Sequence, residues 1–384
     1  MTRTAVPEQV DIAIIGAGCA GLSLAHRLVA TEKASDIKAS LYGPVSPAAT
    51  NGHSWGFWAT QGLTEQAGLA RQRWQKWQII TAEQKITQKA DAHPYCRLDS
   101  RDWLTLCLDS IEGHIQYKPN ELPPPGTQPV FDSRPPIVPD GAMLQHFRGV
   151  EVKTVQTCFS PDTAILMDFR CDQSRGIHFI YLLPYSPTEA LVESTMLSLE
   201  RQDDAFYTEA IKTYLETYWT TGGWQISHTE RGCIPMTFVQ PANPDYLAIG
   251  ANGGCIRPSS GYAFAFIQKQ TDALIDSLVR NGPHYLTPAT LPRPIRRFDL
   301  FLDRIFLHVI RHHPGRAADL FARIATALSG DEFARFMSGI ADFTIYAKLL
   351  RAMPSGLFLN ALWDTHVMGR DNVDKNNTGS KDSG

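Results

Sequence analysis

The segment Asp11–Leu28, DIAIIGAGCAGLSLAHRL, decides how the N-terminal part of this chain folds. Its first residues, Asp11–Ile15, form a short, largely apolar run, as expected for a parallel strand that is covered on both faces. The glycines of Gly16–Gly21 follow with GxGxxG spacing and lead into a helix with an apolar side. A strand, a glycine turn and a helix in this order predict a dinucleotide site. A glycine turn with a purely structural role is the alternative.

Each glycine of this first box has a predicted role. Gly16 allows the turn, Gly18 lets the backbone approach a pyrophosphate, and Gly21 lets the helix pack closely on the strand. The second strand, predicted over Ile37–Tyr42, runs into Gly43 without the acid that often holds a ribose hydroxyl. The missing acid argues against an NAD site and leaves FAD open, with its ribose held by the backbone or by water.

Composition excludes several classes of protein. The 384 residues carry a net charge of −3, and no basic run indicates a nucleic-acid partner. The seven cysteines are widely spaced and form no CxxC pair, which argues against a disulfide framework or a zinc site and favours a reducing, cytosolic environment. No apolar run reaches transmembrane length, so we expect a soluble protein or one that lies on a membrane without spanning it.

Three further segments carry candidate cofactor contacts. Arg101 follows a predicted helix N-cap at Asp99 or Ser100, where it would reach a phosphate or the isoalloxazine edge or lie in solvent. Asp132 ends a predicted strand and is either near the cofactor or a turn-capping residue. A second glycine box, Ile249–Phe266, again leads from a strand into a helix whose N-terminus can face an anion or a carbonyl. The predicted cofactor-binding residues are Gly16, Ala17, Gly18, Gly21, Arg101, Asp132, Gly250, Gly253, Gly254, Pro258, Ser259 and Gly261.

Strand-like segments fill the middle of the chain and predict an antiparallel, substrate-covering sheet rather than further βαβ units. They are Gln145–Val155, Ala164–Phe169, Ile177–Pro184 and Ala190–Leu197. Asp168 lies near the end of its strand, where a solvated carboxylate is the default interpretation. Glu193 lies inside an apolar strand, where burial would be costly and would raise its pKa. Spacing alone favours the alternative, in which Glu193 points outward to water.

The remaining patterns concern aromatic and C-terminal segments. Asn51–Trp58, NGHSWGFW, predicts a glycine-punctuated loop, which is either a packed surface loop or the lining of a site for a flat or apolar ligand. From Arg296 to about Leu362 the chain is predicted to be helical, with an apolar face that suits core packing first and membrane contact second. The polar tail from Asp371 is predicted to be disordered.

The two glycine boxes resemble those of FAD-binding Rossmann proteins related to aromatic hydroxylases and geranylgeranyl reductases. Those proteins have a GD box followed by Pro-x-x-Gly, whereas here Gly250-Ala251 precedes Pro258–Gly261 and the acid is absent. From about Asp11 to Leu362 the chain more closely resembles the bacterial and plant lycopene cyclases. The matching blocks are the GxGxxG box, HSWGFW, FDSRPP, LQHFRGVEV, MDF, FIYLLPYSPTEALVESTMLS and RPSSGYAF.

This resemblance implies an α/β fold, in which an FAD-binding Rossmann-type domain of the GR2 kind is joined to an antiparallel-sheet substrate domain and a C-terminal helical region. The implied ranges are 1–140 with 228–290 for the FAD-binding domain, 141–227 for the substrate domain, 291–370 for helices able to dock on a membrane, and 371–384 for the tail. The implied location is cytoplasmic, at the inner face of the membrane.

The resemblance also implies a reaction: the ψ ends of lycopene cyclise to β-ionone rings, giving γ-carotene or β-carotene, without net redox change. An acid protonates the terminal double bond, the C5–C6 alkene attacks the cation, and loss of a proton gives the ring. FAD acts in its reduced form, and NADPH is the source of its electrons. The acid that the family proposes as catalytic falls on Glu193, which must then face the substrate, and the acid of its MD pair falls on Asp168.

This chemistry needs a carboxylic acid kept protonated by burial, exclusion of water, and electron density near the cation. Candidates for the substrate wall are His53, Trp55, Trp58, Tyr181 and Tyr185. A flavin monooxygenase or reductase acting on a polyene, a cyclase of another prenyl chain, and a non-catalytic carotenoid- or flavin-binding protein remain open as alternatives.

Overall fold

The computed structural model describes residues 11–34, 37–45, 51–124 and 129–365, so the predicted disordered tail lies outside the described residues. The strands are β1 Ile12–Ala17, β2 Ala39–Val45, β3 Ser54–Trp58, β4 Gln72–Trp74, β5 Lys76–Ile80, β6 Lys85–Lys89, β7 Tyr95–Asp99, β8 Gln116–Lys118, β9 Val130–Asp132, β10 Leu144–Thr154, β11 Thr163–Asp168, β12 Ile177–Pro184, β13 Glu189–Ser198, β14 Trp224–Pro235 and β15 Leu247–Ala248. The α-helices are α1 Cys19–Ala30, α2 Thr64–Leu69, α3 Ser100–Ile111, α4 Asp204–Tyr218, α5 Phe264–Asn281, α6 Arg297–His312, α7 Ala317–Ala327, α8 Gly330–Met337 and α9 Phe343–Ala352.

The N-terminal segment forms the centre of a five-stranded parallel sheet with the order β15-β9-β1-β2-β8. A Cβ atom at Gly21 would lie 1.9 Å from the carbonyl oxygen of Gly16, so only glycine lets α1 pack this closely on the end of β1. Gly16 itself has a φ of +97°, which a residue with a side chain rarely adopts. The predicted strand, turn and helix are therefore confirmed.

The predicted antiparallel strands belong to a seven-stranded sheet with the order β14-β10-β13-β12-β11-β5-β6. Its strand pairs are antiparallel except for β11 with β5, which run parallel. β5 and β6 were not predicted, and they bring residues 76–89 from the N-terminal part of the chain into this sheet. With β14 at the other edge, the sheet crosses both of the predicted domain boundaries at 141 and 228.

Helices cover both faces of the seven-stranded sheet. On one face, α4 packs through Ile211 and Leu215 in a cluster that includes Val192. On the other face lies a cluster that also contains residues of the C-terminal helices, including Phe306 and Phe333. Because helices cover both faces around β13, strand alternation alone does not separate buried from solvated positions there.

The aromatic segment near residue 55 is a strand and not the predicted loop. β3 pairs with β7 in a three-stranded sheet of order β3-β7-β4. Gly56 lies within β3, and a Cβ atom there would be 1.8 Å from the hydroxyl of Tyr95. The glycine therefore makes room for a tyrosine side chain and does not mark a turn.

Candidate active site

A cavity of about 700 Å³ reaches from the first glycine box, past the seven-stranded sheet, to the C-terminal helices. Most of its wall is aromatic or aliphatic, including Phe179 from the sheet and Phe306 from α6. The two carboxyl side chains in the wall of this cavity belong to Glu193 and Asp303. Asp303 is ion-paired with buried Arg257 and accepts a hydrogen bond from Ser259 Oγ at 2.6 Å. Glu193 is therefore the acid of this wall that lacks such a cation partner among the described residues.

Glu193 faces the cavity, so the prediction from spacing that it points outward to water is wrong. On β13, Leu191 and Leu197 share its face, while Val192 packs in the cluster beneath α4. The outward direction is blocked because α4 covers that face of the sheet. Burial raises the pKa of Glu193 well above its usual value, and the neighbouring carboxyl of Glu230 raises it further. Both effects favour the protonated, neutral form of this carboxyl group.

Three tyrosine hydroxyls meet beside Glu193. Tyr181 is directly opposite Glu193 in the β12–β13 pair. The hydroxyl of Tyr95 lies 2.6 Å from that of Tyr181 and 3.1 Å from that of Tyr262. Burial raises the pKa of all three tyrosines, so this end of the cavity is lined by neutral hydroxyl groups.

Asp168 is neither solvated nor in the cavity wall. It is fully buried, and its carboxylate accepts hydrogen bonds from Arg170 at 2.7 and 2.9 Å and from the Tyr214 hydroxyl at 2.8 Å. Tyr214 belongs to α4, on the face of the sheet opposite the cavity. The structure therefore separates Asp168 from Glu193 and gives it the role of an anchor between the sheet and α4.

Three of the five residues predicted for the substrate wall lie in the wall of this cavity. Trp55, Trp58 and Tyr181 line the cavity. His53 and Tyr185 are outside the wall. The Tyr185 hydroxyl donates to Glu151 at 3.1 Å, and His53 Nδ1 lies 3.9 Å from Glu230 Oε2, so both side chains join a polar group next to the cavity.

The two glycine boxes touch each other at the carboxyl ends of the parallel strands. A Cβ atom at Gly250, which has a φ of +63°, would lie 2.4 Å from the Cβ of Ala20 in α1. Asp132 lies between the boxes, and its carbonyl accepts the backbone N–H of Ile249 at 2.9 Å. Within the first box, Ala17 is the last residue of β1 and Gly18 is the N-cap of α1.

Two helix N-termini are open at this end of the cavity. Gly18 caps α1 without a side-chain hydrogen bond, and Ala263 does the same for α5. Cys19 and Gly261, which lie next to these caps, both line the cavity. Free N–H groups at a strand–glycine–helix junction fit a pyrophosphate and the polar edge of a flavin ring.

The charged residues predicted at the cofactor are held by local ion pairs. Arg101 binds Asp99 with hydrogen bonds of 2.6 and 2.9 Å, and Arg134 binds Asp132 with bonds of 2.8 and 2.9 Å. Asp132 is fully buried, so the half-exposed Arg134 is the part of this pair that is accessible from the strand end. Of the two predicted N-cap candidates, Asp99 is the N-cap of α3 and Ser100 is the first residue of the helix.

The second glycine box turns sharply before α5. Gly253 packs against the backbone of β15, since a Cβ atom there would lie 2.4 Å from the carbonyl oxygen of Ala248. Gly254 and Gly261 have φ angles of +77° and +71°. Pro258 and Ser259 follow buried Arg257, which ties this turn to α6 through Asp303.

Sequence reasoning missed several residues of the site. Glu230 carried no distinguishing pattern, because its neighbours Thr229 and Arg231 are polar, unlike the apolar strand that singled out Glu193. Tyr95 and Tyr262 carried no distinguishing pattern, because their hydroxyls meet through contacts between distant segments. The apolar residues of α7, α8 and α9 pack as core, as expected, and many of them also line the cavity, which was not predicted.

The fold is that of Rossmann-type flavoproteins. A geranylgeranyl bacteriochlorophyll reductase-like protein from Thermoplasma acidophilum superposes with a TM-score of 0.55 at 12% identity, covering 90% of this chain and 96% of that one. A flavin-dependent brominase gives a TM-score of 0.56 at 13% identity, covering 94% and 99%.

A family model described as lycopene cyclase protein matches residues 11–116 and 126–355, and the chain therefore belongs to the lycopene cyclase family. A lycopene beta-cyclase from Pantoea ananas is 24% identical over 387 residues, covering 92% of this chain and 97% of that protein. One from Pseudescherichia vulneris is 30% identical over 123 residues, and one from Paracoccus sp. is 31% identical over 140 residues. The chain spans about a third of the length of these last two, 31% and 35%.

Proposed function

We propose that this protein is a lycopene beta-cyclase of carotenoid biosynthesis, with Glu193 as the acid that starts cyclisation. The observation that carries the proposal is one carboxyl group, with a raised pKa and without an ion-pair partner among the described residues, in the wall of a large apolar cavity. A long hydrocarbon has no polar groups to recognise, so a cavity of aromatic and aliphatic side chains fits it. The family match and the names of the relatives support the same substrate.

Glu193 is suited to protonate a carbon atom. Its low-dielectric surroundings raise its pKa and so favour the acid form, and the neighbouring tyrosines are neutral hydroxyls that do not compete as bases. Trp55, Trp58 and the tyrosine rings exclude water, which would otherwise trap the cation as an alcohol. Their electron-rich faces also stabilise positive charge nearby. After ring closure, the proton lost from carbon returns to the carboxylate, so the substrate is isomerised.

FAD is the proposed cofactor. The first glycine box with the N-terminus of α1 would hold the pyrophosphate, and the second box with the N-terminus of α5 would hold the flavin edge at the cavity. Reduced FAD, when bound there, supplies electron density beside the developing cation. NADPH is the proposed electron donor that keeps the flavin reduced.

A membrane surface is the proposed source of the substrate. Phe298, Leu350 and Leu359 line the cavity and are also exposed to solvent by 46%, 57% and 62% of their surface. Exposed apolar groups around a cavity mouth fit the hydrocarbon layer of a bilayer. Among the described residues, no helix is long and apolar enough to cross a membrane. The exposed apolar residues at the cavity mouth support the proposal that the protein is peripheral, at the cytoplasmic face of the membrane.

Expression in lycopene-accumulating cells, followed by pigment analysis, tests the proposal. A cyclase converts lycopene into cyclic products of unchanged mass. A monooxygenase would add oxygen and a reductase would add hydrogen, and either product would contradict the proposal. Retained lycopene with no product, in cells where the protein is soluble and holds flavin, would instead favour a carotenoid-binding protein.

A further inference from the structure

Gly149 lies between two glutamates in the seven-stranded sheet. It belongs to β10, the strand between β13 and β14, where it pairs with Glu193 of β13 on one side and with Glu230 of β14 on the other. Residues directly opposite each other in adjacent strands point to the same face of a sheet. The three residues therefore form one row on the cavity side of the sheet.

The absence of a side chain at Gly149 lets the two glutamates converge. A Cβ atom at this position would lie 2.9 Å from Glu193 Cγ, 3.0 Å from Glu230 Cγ and 3.3 Å from Glu193 Oε1. Both side chains thus lean from opposite sides into the space that a methyl group would fill. Alanine at this position would push the two carboxyl groups apart.

One carboxylate oxygen of Glu230 accepts a hydrogen bond, and the other has no donor among the described residues. The residue is only 5% exposed, and Oε2 accepts the backbone N–H of Ser54 at 2.8 Å. No hydrogen-bond donor from the described part of the chain reaches the buried Oε1. A buried carboxylate oxygen without a donor is costly, and a protonated carboxyl beside it supplies the missing hydrogen bond.

The nearest cation is engaged with other groups. Arg97 donates to Ser54 Oγ at 3.0 Å, to Gln72 Oε1 at 3.3 Å and to Glu151 Oε1 at 2.8 Å. Its charge lowers the pKa of Glu193, but this effect is smaller than those of burial and of Glu230. The other titratable groups that face the glutamates are Tyr181, Tyr185, Tyr95, Tyr262 and His53, whose Nδ1 lies 3.9 Å from Glu230 Oε2.

We propose that Glu230 is a second functional carboxyl group of this site, and that it shares one proton with Glu193 in the space above Gly149. Glu230, held by the Ser54 amide, is the carboxylate of the pair, and Glu193 at the cavity is the acid. Two like charges this close in a buried site favour retention of one proton. This proposal rests on the proposed function only for the step that consumes the proton.

In that step the O–H bond of Glu193 breaks and a C–H bond forms on the substrate, which leaves the two carboxylates beside the cation. After ring closure, a ring C–H bond breaks and its proton returns to the pair. Protons and electrons balance without any oxidant or reductant. Glu230 does not itself touch the reacting carbon and is a positioning residue that sets the proton affinity of Glu193.

Infrared titration of the flavin-loaded protein tests the pair without substrate. The carbonyl stretch of a protonated carboxyl, followed with pH in H₂O and D₂O, should persist above neutral pH in the wild type and vanish in Glu193→Gln. In Glu230→Gln its midpoint should move down by about one pH unit or more, a tenfold loss of proton affinity. Glu189→Gln, at an exposed ion pair with Lys153 at the start of β13, is the matched control and should leave the band unchanged.

An unchanged midpoint in Glu230→Gln, or a band that survives in Glu193→Gln, would overturn the proposal. If Glu230→Gln does not retain flavin, the same infrared midpoint is measured in Gly149→Ala, which separates the two carboxyl groups without removing either. The midpoint should again move down, and an unchanged midpoint would again overturn the proposal. The cyclisation pH profile separates the two proposals. If the infrared band titrates as expected but the protein does not cyclise lycopene, the proposed function is wrong and the shared proton stands. If wild type and Glu230→Gln both cyclise lycopene and lose activity at the same alkaline pH, the shared proton is wrong and the proposed function stands.

Discussion

Tyr181 lies directly opposite Glu193 on the neighbouring antiparallel strand, and both side chains face the cavity. The hydroxyl of Tyr181 is in turn held by Tyr95, which also contacts Tyr262 from the second glycine box. One chain of buried contacts therefore links the proposed acid to the segment that would hold the flavin edge. The relative position of acid and cofactor depends on this chain of contacts.

Replacing Tyr95 by phenylalanine should disturb this arrangement. The variant leaves two buried hydroxyls without their common partner, so we expect the free energy of unfolding to fall by about 1–3 kcal/mol. Product formation should fall as well, because Tyr181 loses its fixed orientation. Chemical denaturation and pigment analysis measure both effects. Tyr218→Phe, which removes an exposed hydroxyl, is the control. Equal stability of Tyr95→Phe and wild type would contradict the assigned role.

Gly21→Ala tests the first glycine box. The new methyl group would meet the Gly16 carbonyl oxygen at 1.9 Å, so α1 must move away from the end of β1. We expect flavin content well below one per chain, together with a stability loss of about 1–3 kcal/mol from overpacking. The ratio of flavin to protein absorbance reports the first effect. Gly68→Ala is the matched control, since nothing lies within 4 Å of a Cβ at that position in α2. Full flavin occupancy in Gly21→Ala would show that the box does not hold the cofactor.

The raised pKa of Glu193 predicts a pH dependence of stability. Between the ordinary glutamate pKa and the raised value, the folded protein binds one more proton than the unfolded chain. The contribution of this extra proton to the free energy of unfolding is complete below the ordinary glutamate pKa. It is lost as pH rises towards the raised pKa, by up to about 1.4 kcal/mol per pH unit. Glu193→Gln removes this titration. Its stability relative to wild type should therefore increase from mildly acidic to mildly alkaline buffer, as measured by denaturation of the flavin-loaded proteins. A constant difference would mean that the pKa is not raised.

The exposed mouth of the cavity predicts membrane binding. We expect wild-type protein to float with liposomes and the double variant Leu350→Glu/Leu359→Glu to remain largely in the soluble fraction. The two substitutions place negative charge where the bilayer would contact α9 and the segment after it. Val155→Glu is the control, because Val155 is equally apolar and 76% exposed but does not line the cavity. Wild-type protein that stays entirely in the soluble fraction would refute the membrane proposal. Loss of flotation in Val155→Glu would show that membrane binding does not depend on the cavity mouth.

The sequence predicted the parts of the fold that depend on local chemistry. The first glycine box, the four central strands and the N-cap at Asp99 all follow from short-range patterns, and the structure confirms them. The side-chain direction that spacing alone predicted for Glu193 was wrong, because alternation does not reveal that helices cover both faces of the sheet. Only the family resemblance placed it in the cavity.

Other parts of the site depend on contacts between distant segments. Gly56 was taken as loop punctuation because the clash it avoids is with Tyr95, in a different strand. Gly149 and Glu230 meet Glu193 only through the strand order β14-β10-β13, in which β14 joins the sheet from beyond α4. Asp168 matched the family by its sequence neighbours, yet its carboxylate faces α4. No local pattern carries this information.

The most direct test of the central claim compares wild type, Glu193→Gln and Glu189→Gln as purified, flavin-loaded proteins under anaerobic, NADPH-reduced conditions, with lycopene supplied in liposomes. We predict that wild type and Glu189→Gln form cyclic carotenoids without stoichiometric NADPH oxidation. Glu193→Gln should keep its flavin but cyclise at least about a hundredfold more slowly, the usual contribution of a general acid. Cyclisation by Glu193→Gln at a rate near that of wild type would contradict the account.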